Sequence, residues 1–199
     1  MKKLNLSGLC FLALAAVLNL VGANLALALR LPIYLDSMGT MLGAALLGPV
    51  YGMLPGAVSA VLSGCTTDVY AFYYLPVQLA TGLLTGLAFH LFRPGGAKDM
   101  RRILPASLLI SLPGTVVSSV ITALVFGGVT SSGSTVLVQL LHGAGLSLTA
   151  SVCVVQGATD FLDRLISLVL AVLLLSALPQ SLRGKIRNTE EESAQKKGA

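Results

Sequence analysis

Residues 30–64, RLPIYLDSMGTMLGAALLGPVYGMLPGAVSAVLSG, decide how the rest of the chain is read. They open on a polar corner, Leu31-Pro32-Ile33-Tyr34-Leu35-Asp36, and continue as two short apolar runs hinged at Gly48-Pro49. Pro49 lacks an N–H and Gly48 tolerates a turn, so the dipeptide divides a helix over about 37–47 from one over about 50–64. Small residues recur at every fourth position through both runs: Ala44, Gly48, Gly52, Gly56, Ala60 and Gly64. Such a stripe lets helix backbones approach closely, and packing within the chain is favoured over docking to another protein. A carboxylate beside a tyrosine at the mouth of an apolar hairpin is costly to keep there, which marks Asp36 as a ligand-site residue.

Composition places this hairpin in lipid. Of 199 residues, 55% are hydrophobic and only 11% charged, against about 25% charged in a soluble domain. The mean hydropathy is +0.86. The chain is therefore expected to be an all-α integral membrane protein, and its length allows about six spans with short connections. The expected fold is a six-transmembrane-helix bundle containing the short second and third helices, over residues 1–182, followed by a charged tail without fixed structure over 183–199. The net charge of +5 does not point to nucleic acid, because the basic residues sit in loops and tails, where they orient a membrane protein. Cys10, Cys65 and Cys153 are far apart, form no metal-ligand or redox spacing, and read as packing residues.

Upstream of the hairpin, the apolar run over 7–29 is too long for a cleaved leader and reads as a first spanning helix that also targets the chain. It carries Asn19 and Asn24, whose amides need partners in lipid. Asn24 lies nearer the outer end and joins the ligand candidates beside a role as interhelical glue.

Downstream, residues 65–74 (CTTDVYAFYY) cluster Tyr70, Tyr73 and Tyr74 beside Asp68. A tyrosine belt at the membrane surface explains part of this cluster; Asp68 tips the reading towards a site. A fourth helix over about 72–92 carries Gly82 and Gly86, and a basic loop follows from Arg93 to Arg102. A fifth helix over about 103–126 is expected to kink at Pro113-Gly114. After a Gly/Ser/Thr linker, residues 135–157 hold Gln139, His142 and Gln156 in an apolar context and read as re-entrant or partly buried structure on the outer side. The last helix, over about 158–178, opens with Thr159-Asp160-Phe161-Leu162-Asp163-Arg164.

With six spans, Lys2, Lys3, the Arg93–Arg102 loop and the Arg183–Arg187 tail fall together on the cytoplasmic side of the plasma membrane, with both termini. The polar groups then gather at the outer ends of helices from three parts of the chain. The candidate binding residues are Asn24, Tyr34, Asp36, Asp68, Tyr73, Gln78, Asp160 and Arg164. Carboxylates accept hydrogen bonds and tyrosines stack on flat molecules, so an apolar cavity with these groups suits a small solute. An i,i+4 ion pair is the plainer reading of Asp160 and Arg164.

The corner Leu31–Thr40, the Leu46-Leu47-Gly48-Pro49 hinge and Asp163-Arg164-Leu165-Ile166-Ser167 resemble the substrate-binding S components of energy-coupling factor (ECF) transporters, over most of residues 15–180. The resemblance implies a six-helix bundle that captures a vitamin, nucleobase or related micronutrient from outside. It also implies partners: a membrane-embedded coupling subunit and two ATP-binding subunits that drive uptake. The chain itself has no phosphate-binding G-x-x-x-x-G-K-[ST] motif, so ATP use falls to those partners. Family members often dock the coupling subunit through an Ala-xxx-Ala pattern on the first helix. This chain has no strict copy, and Ala13, Ala15, Ala16, Gly22 and Ala26 are the small residues that stand in for it.

Two other classes compete with a binding subunit. An intramembrane enzyme would need a catalytic constellation, and the sequence holds no G-x-S-x-G, no H-E-x-x-H and no catalytic pair of carboxylates; no cofactor is expected either. A stand-alone permease would be favoured by inverted repeats, of which none is found, and a sensory module by a signalling domain, for which the tail is too short.

Overall fold

The computed structural model describes residues 4, 6–94 and 99–187, and the described residues form helices and no strand. Lys2, Lys3, Lys98 and the tail beyond Arg187 lie outside them.

Helix α1, Leu6–Ala28, shows the pattern of a helix built for an apolar solvent. Apart from Leu12, its inward face is small or polar, with Ala15, Ala16, Asn19, Gly22 and Ala26 buried. Its outward face carries Leu14, Val17, Val21 and Leu25, all more than half exposed. Water would penalise that surface by the full hydrophobic term, whereas close helix contact in lipid calls for small residues inside. α6 repeats the pattern, burying Ser107, Ser111, Ser118 and Ser119 while exposing Leu112, Val116 and Val120. These apolar helices are compatible with a multi-pass membrane protein.

The corner between α1 and α2 (Met38–Leu47) is held from both sides. The first N–H groups of a helix have no partner within it. Here the Asn19 side chain of α1 supplies one across the helix gap: its Oδ1 accepts from the Gly39 N–H at 2.7 Å and the Thr40 N–H at 3.4 Å. Its Nδ2 donates to Thr40 Oγ1 at 2.8 Å and Ser59 Oγ at 3.3 Å. The approach depends on Gly39, where a Cβ would lie 1.8 Å from the Ala15 carbonyl oxygen.

The chain turns at Gly48, with φ +86° and ψ 177°, a conformation open in practice to glycine alone. Pro49 then starts α3, Pro49–Thr66. The hinge stands where the sequence puts it, and the small-residue stripe is consumed inside the chain: Gly52 lies against Ala44, and Gly64 against the Phe72 ring. A short turn of helix, α4 (Tyr70–Tyr73), leads to α5 (Leu75–Phe92), whose Gly82 and Gly86 meet the backbone of Met53 and Pro49.

α6, Met100–Val120, continues as a helix through Pro113 and ends in a π turn, Ile121–Val125. The segment 135–157 divides into a short helix α7, Ser134–Gly143, and the first part of α8, Leu148–Ala177. The last long helix thus begins ten residues before the expected 158, because Ser147 accepts from the Ala150 N–H as its N-cap. Val138 of α7 packs on Val152 and Val155 of α8. The tail expected from 183 without structure is helical as far as α9, Gln180–Arg187.

Among the described residues, three helices are long and apolar enough to cross a membrane: Leu6–Ala28, Leu75–Phe92 and Met100–Val125. A fourth is reached when α8 and α9, bent by 107°, are taken together. Length and composition together therefore do not show six full-length spans. α2 and α7 have 10 residues each, about 15 Å of helix against about 30 Å of hydrocarbon. α8 interrupts its apolar run with Asp160, Asp163 and Arg164.

The two ends of the bundle differ. Met41, Ala88, Ile103, Ile110, Leu168 and Val172 fill the half next to the Gly48 hinge. The other half is closed by the corners at 29–37 and 67–74 and by the 126–133 loop, and it buries polar side chains among its apolar lining.

Candidate functional site

The polar half encloses a chamber with a cavity volume of about 70 Å³, within about 910 Å³ of space counting its opening. That leaves room for a few waters or one compact ring. Its walls come from α1, both corners, α3, α5, α6, the 131–132 loop and α8.

The charged wall starts at Arg164, which is 6% exposed. Its Nη1 donates to Asp163 Oδ2 and to Ser37 Oγ, each at 2.7 Å, and lies 3.8 Å from Asp36 Oδ1. Asp163 in turn accepts from the Leu35 backbone N–H at 2.8 Å. Asp36 is met from α5 by Gln78, whose Nε2 donates to Asp36 Oδ2 at 2.5 Å. Burial pushes the Asp36 carboxyl up to about 6; the Arg164 guanidinium pulls against this and the Asp163 carboxylate adds to it. Asp36 Oδ1 and Gln78 Oε1 are buried without a hydrogen-bond partner. Two buried acceptors without donors are a cost that a folded chain keeps only for a reason.

A second polar chain crosses from α8 to the tyrosine corner. Ser118 Oγ lies 2.8 Å from Asp160 Oδ2 and 3.1 Å from Gln156 Oε1. Gln156 Nε2 donates to Thr122 Oγ1 at 2.6 Å, and Thr122 pairs with the Tyr74 hydroxyl at 2.5 Å. The π turn carries Thr122, where such local widening is frequent at functional sites. At the opening, Ser131 Oγ donates to Asp68 Oδ2 at 2.5 Å, and the Tyr34 hydroxyl reaches Thr130 Oγ1 at 3.4 Å. Both bonds tie the 126–133 loop over the chamber.

Six of the eight candidates read from the sequence line this chamber: Tyr34, Asp36, Asp68, Gln78, Asp160 and Arg164. The other two do not. The Asn24 amide donates to the Leu20 carbonyl of its own helix at 2.8 Å. Tyr73 is half exposed and stacks edge-on against Phe126 at 5.0 Å, so its neighbour Tyr74 holds the place expected for it. Asn19 of the same helix lines the chamber instead, about one and a half turns deeper, where α1 meets α2 and α3. Gln156, Ser118 and Ser132 also line the chamber. Of these, Gln156 alone carries a signal in the sequence, as an amide in an apolar segment.

The Asp160–Arg164 ion pair gives way to a different arrangement, with Arg164 turned to Asp163 and Asp36 while Asp160 faces Ser118. The small residues put forward for docking lie mostly inside the bundle. Ala15, Ala16, Gly22 and Ala26 are buried within the bundle, Gly22 directly beneath the Leu35 carbonyl, and Ala13 alone is exposed.

No protein-family model, no curated protein and no solved structure matches this chain.

Proposed function

We propose that this chain is the substrate-binding S component of an ECF-type importer. It captures a vitamin, nucleobase or related micronutrient at the outer face of the cell membrane. A coupling subunit and two ATP-binding subunits supply the energy for uptake, and the chain itself is a binding subunit rather than an enzyme. On this reading the α2–α3 hairpin and α8 complete a six-helix membrane bundle, with the chamber at the outer end and both termini in the cytoplasm.

The observation that carries the proposal is the chamber at one end of an apolar bundle, walled by polar side chains from five helices and two corners. The corner that resembles the S components, Tyr34-Leu35-Asp36, forms one of those walls, and Arg164 of the second resembling segment lies behind it. Concave, mostly apolar sites with a few placed polar groups are where small molecules bind.

A co-purifying solute tests this directly, whatever its identity. The protein is purified from cells grown in rich medium, denatured, and the released small molecules are identified by mass spectrometry. One compact solute, near stoichiometric with wild type and absent from Asp36→Asn, is the expected result. Release of nothing, or of the same molecules from both proteins, contradicts the proposal.

A further inference from the structure

The walls also specify the charge of the occupant. Resting on the reading of the chamber as a solute site, we infer that it takes a small planar organic cation with N–H donors, an amidinium or a protonated aminoheterocycle, held by Asp36 and Gln78.

The first ground is hydrogen-bond polarity. Gln78 is 3% exposed, and its amide is oriented by donating Nε2 to Asp36 Oδ2. The same bond leaves Gln78 Oε1 and Asp36 Oδ1 as buried acceptors without a hydrogen-bond partner. The other unpartnered buried side-chain atoms among the described residues are the Thr85 and Ser119 hydroxyls, and neither residue lines the chamber. Two unpartnered acceptors in one wall favour an occupant that brings N–H donors, and a carboxylate acceptor bonds most strongly to a charged donor.

The second ground is charge. Among the described residues, Asp36, Asp68 and Asp160 line the chamber against one cation, Arg164. That guanidinium is already engaged by Asp163 at 2.7 Å. An anionic solute would meet a surplus of carboxylates in a poorly hydrated space, where like charges repel strongly. A cation meets attraction instead, and Tyr34 and Tyr74, with ring centroids 6.3 Å apart, present aromatic surface to it. A bound metal ion is the poorer occupant, since no group of three or more His, Cys, Asp or Glu among the described residues is placed to hold one.

The third ground is size. The enclosed part of the chamber, about 70 Å³, suits one compact ring.

Three probes of nearly equal shape separate the possibilities: benzamidinium, benzamide and benzoate, titrated calorimetrically into the full chain in detergent. Benzamidinium is expected to bind at least about tenfold more tightly than benzamide, and benzoate not at all. Asp36→Asn should weaken benzamidinium by about tenfold or more, and Gln78→Leu, which keeps the carboxylate, by less. The comparison among probes uses wild type alone and stands whether or not a variant folds. Benzoate or benzamide binding as tightly as benzamidinium overturns the cation assignment while leaving a solute site. If none of the three binds but mass spectrometry finds a released solute, the cation assignment again falls alone. If neither experiment finds a ligand, both proposals fall.

Discussion

The backbone N–H of Leu35 donates to Oδ1 of Asp163 at 2.8 Å, tying the corner before α2 to the middle of α8. Leu35 has φ +50°, a left-handed conformation that a branched side chain rarely adopts. Such a residue persists only where its surroundings hold it, at a cost of about 1–3 kcal/mol. Asp163 does the holding, and its other oxygen receives Arg164 at 2.7 Å. One buried carboxylate therefore fixes both the backbone of the corner and the direction of the guanidinium.

Asp163→Ala should remove both at once. Breaking a buried ion pair by deleting one partner costs about 3–5 kcal/mol. The expected result is a large drop in the thermal unfolding midpoint in detergent, with ligand binding lost as the corner loosens. A variant as stable as wild type would show that Asp163 does not anchor the corner.

Asn19 makes a comparable claim for the α1–α2–α3 contact. Asn19→Leu leaves the Gly39 N–H and the Thr40 hydroxyl without their partner and should destabilise by about 1–3 kcal/mol. Asn24→Leu, which removes only a bond to its own helix, should change stability by about 0.5 kcal/mol or less. Equal effects of the two substitutions in unfolding experiments would contradict this assignment.

The glycines divide in the same way. A Cβ at Gly39 meets the Ala15 carbonyl at 1.8 Å, so Gly39→Ala must push α1 and α2 apart and should cost about 2–3 kcal/mol. Gly157, within α8, has nothing within 4 Å of a Cβ, and Gly157→Ala should stabilise by about 0.5–1 kcal/mol through helix propensity. Unfolding midpoints of the pair check both signs.

Much of this is legible in the sequence, for identifiable reasons. Gly48-Pro49 announces its turn because one residue tolerates positive φ and the other ends hydrogen bonding. Asp36, Gln78, Asp160 and Arg164 stand out because polar groups in an apolar chain need a purpose. What sequence hides is depth and direction. Asn19 and Asn24 look alike along α1, and only the packing of α2 and α3 shows which one faces inward. Tyr73 and Tyr74 differ by one residue, which on a helix turns the side chain by about 100°. The alanines of α1 read as a docking face because a small-residue stripe is the same whether it meets another protein or the chain's own corner. The start of α8 escapes the sequence because Ser147 caps it through a single local bond.

Protonation gives a further prediction at Asp36, which faces the Arg164 guanidinium, the Asp163 carboxylate and the Gln78 amide. Its folded value of about 6 lies above the ordinary 3.8. For a carboxyl raised in this way the native state binds the proton more tightly, so stability rises as pH falls through about 6 and levels off near the unfolded value. The unliganded wild type should gain midpoint relative to Asp36→Asn over that interval. Binding of a cation should weaken over the same interval, since the proton removes the charge it pairs with. A constant difference between the two proteins would contradict this.

The central claim, a solute site built on Asp36, is tested most directly by thermal unfolding of the purified protein against a panel of vitamins, nucleobases and their precursors. A ligand that binds only the folded state stabilises it by about 2.7 kcal/mol at a hundredfold excess over its dissociation constant. The account predicts that one nitrogen-rich class of compound raises the wild-type midpoint and leaves Asp36→Asn unmoved. A panel without effect on wild type, or one that shifts both proteins equally, would contradict it.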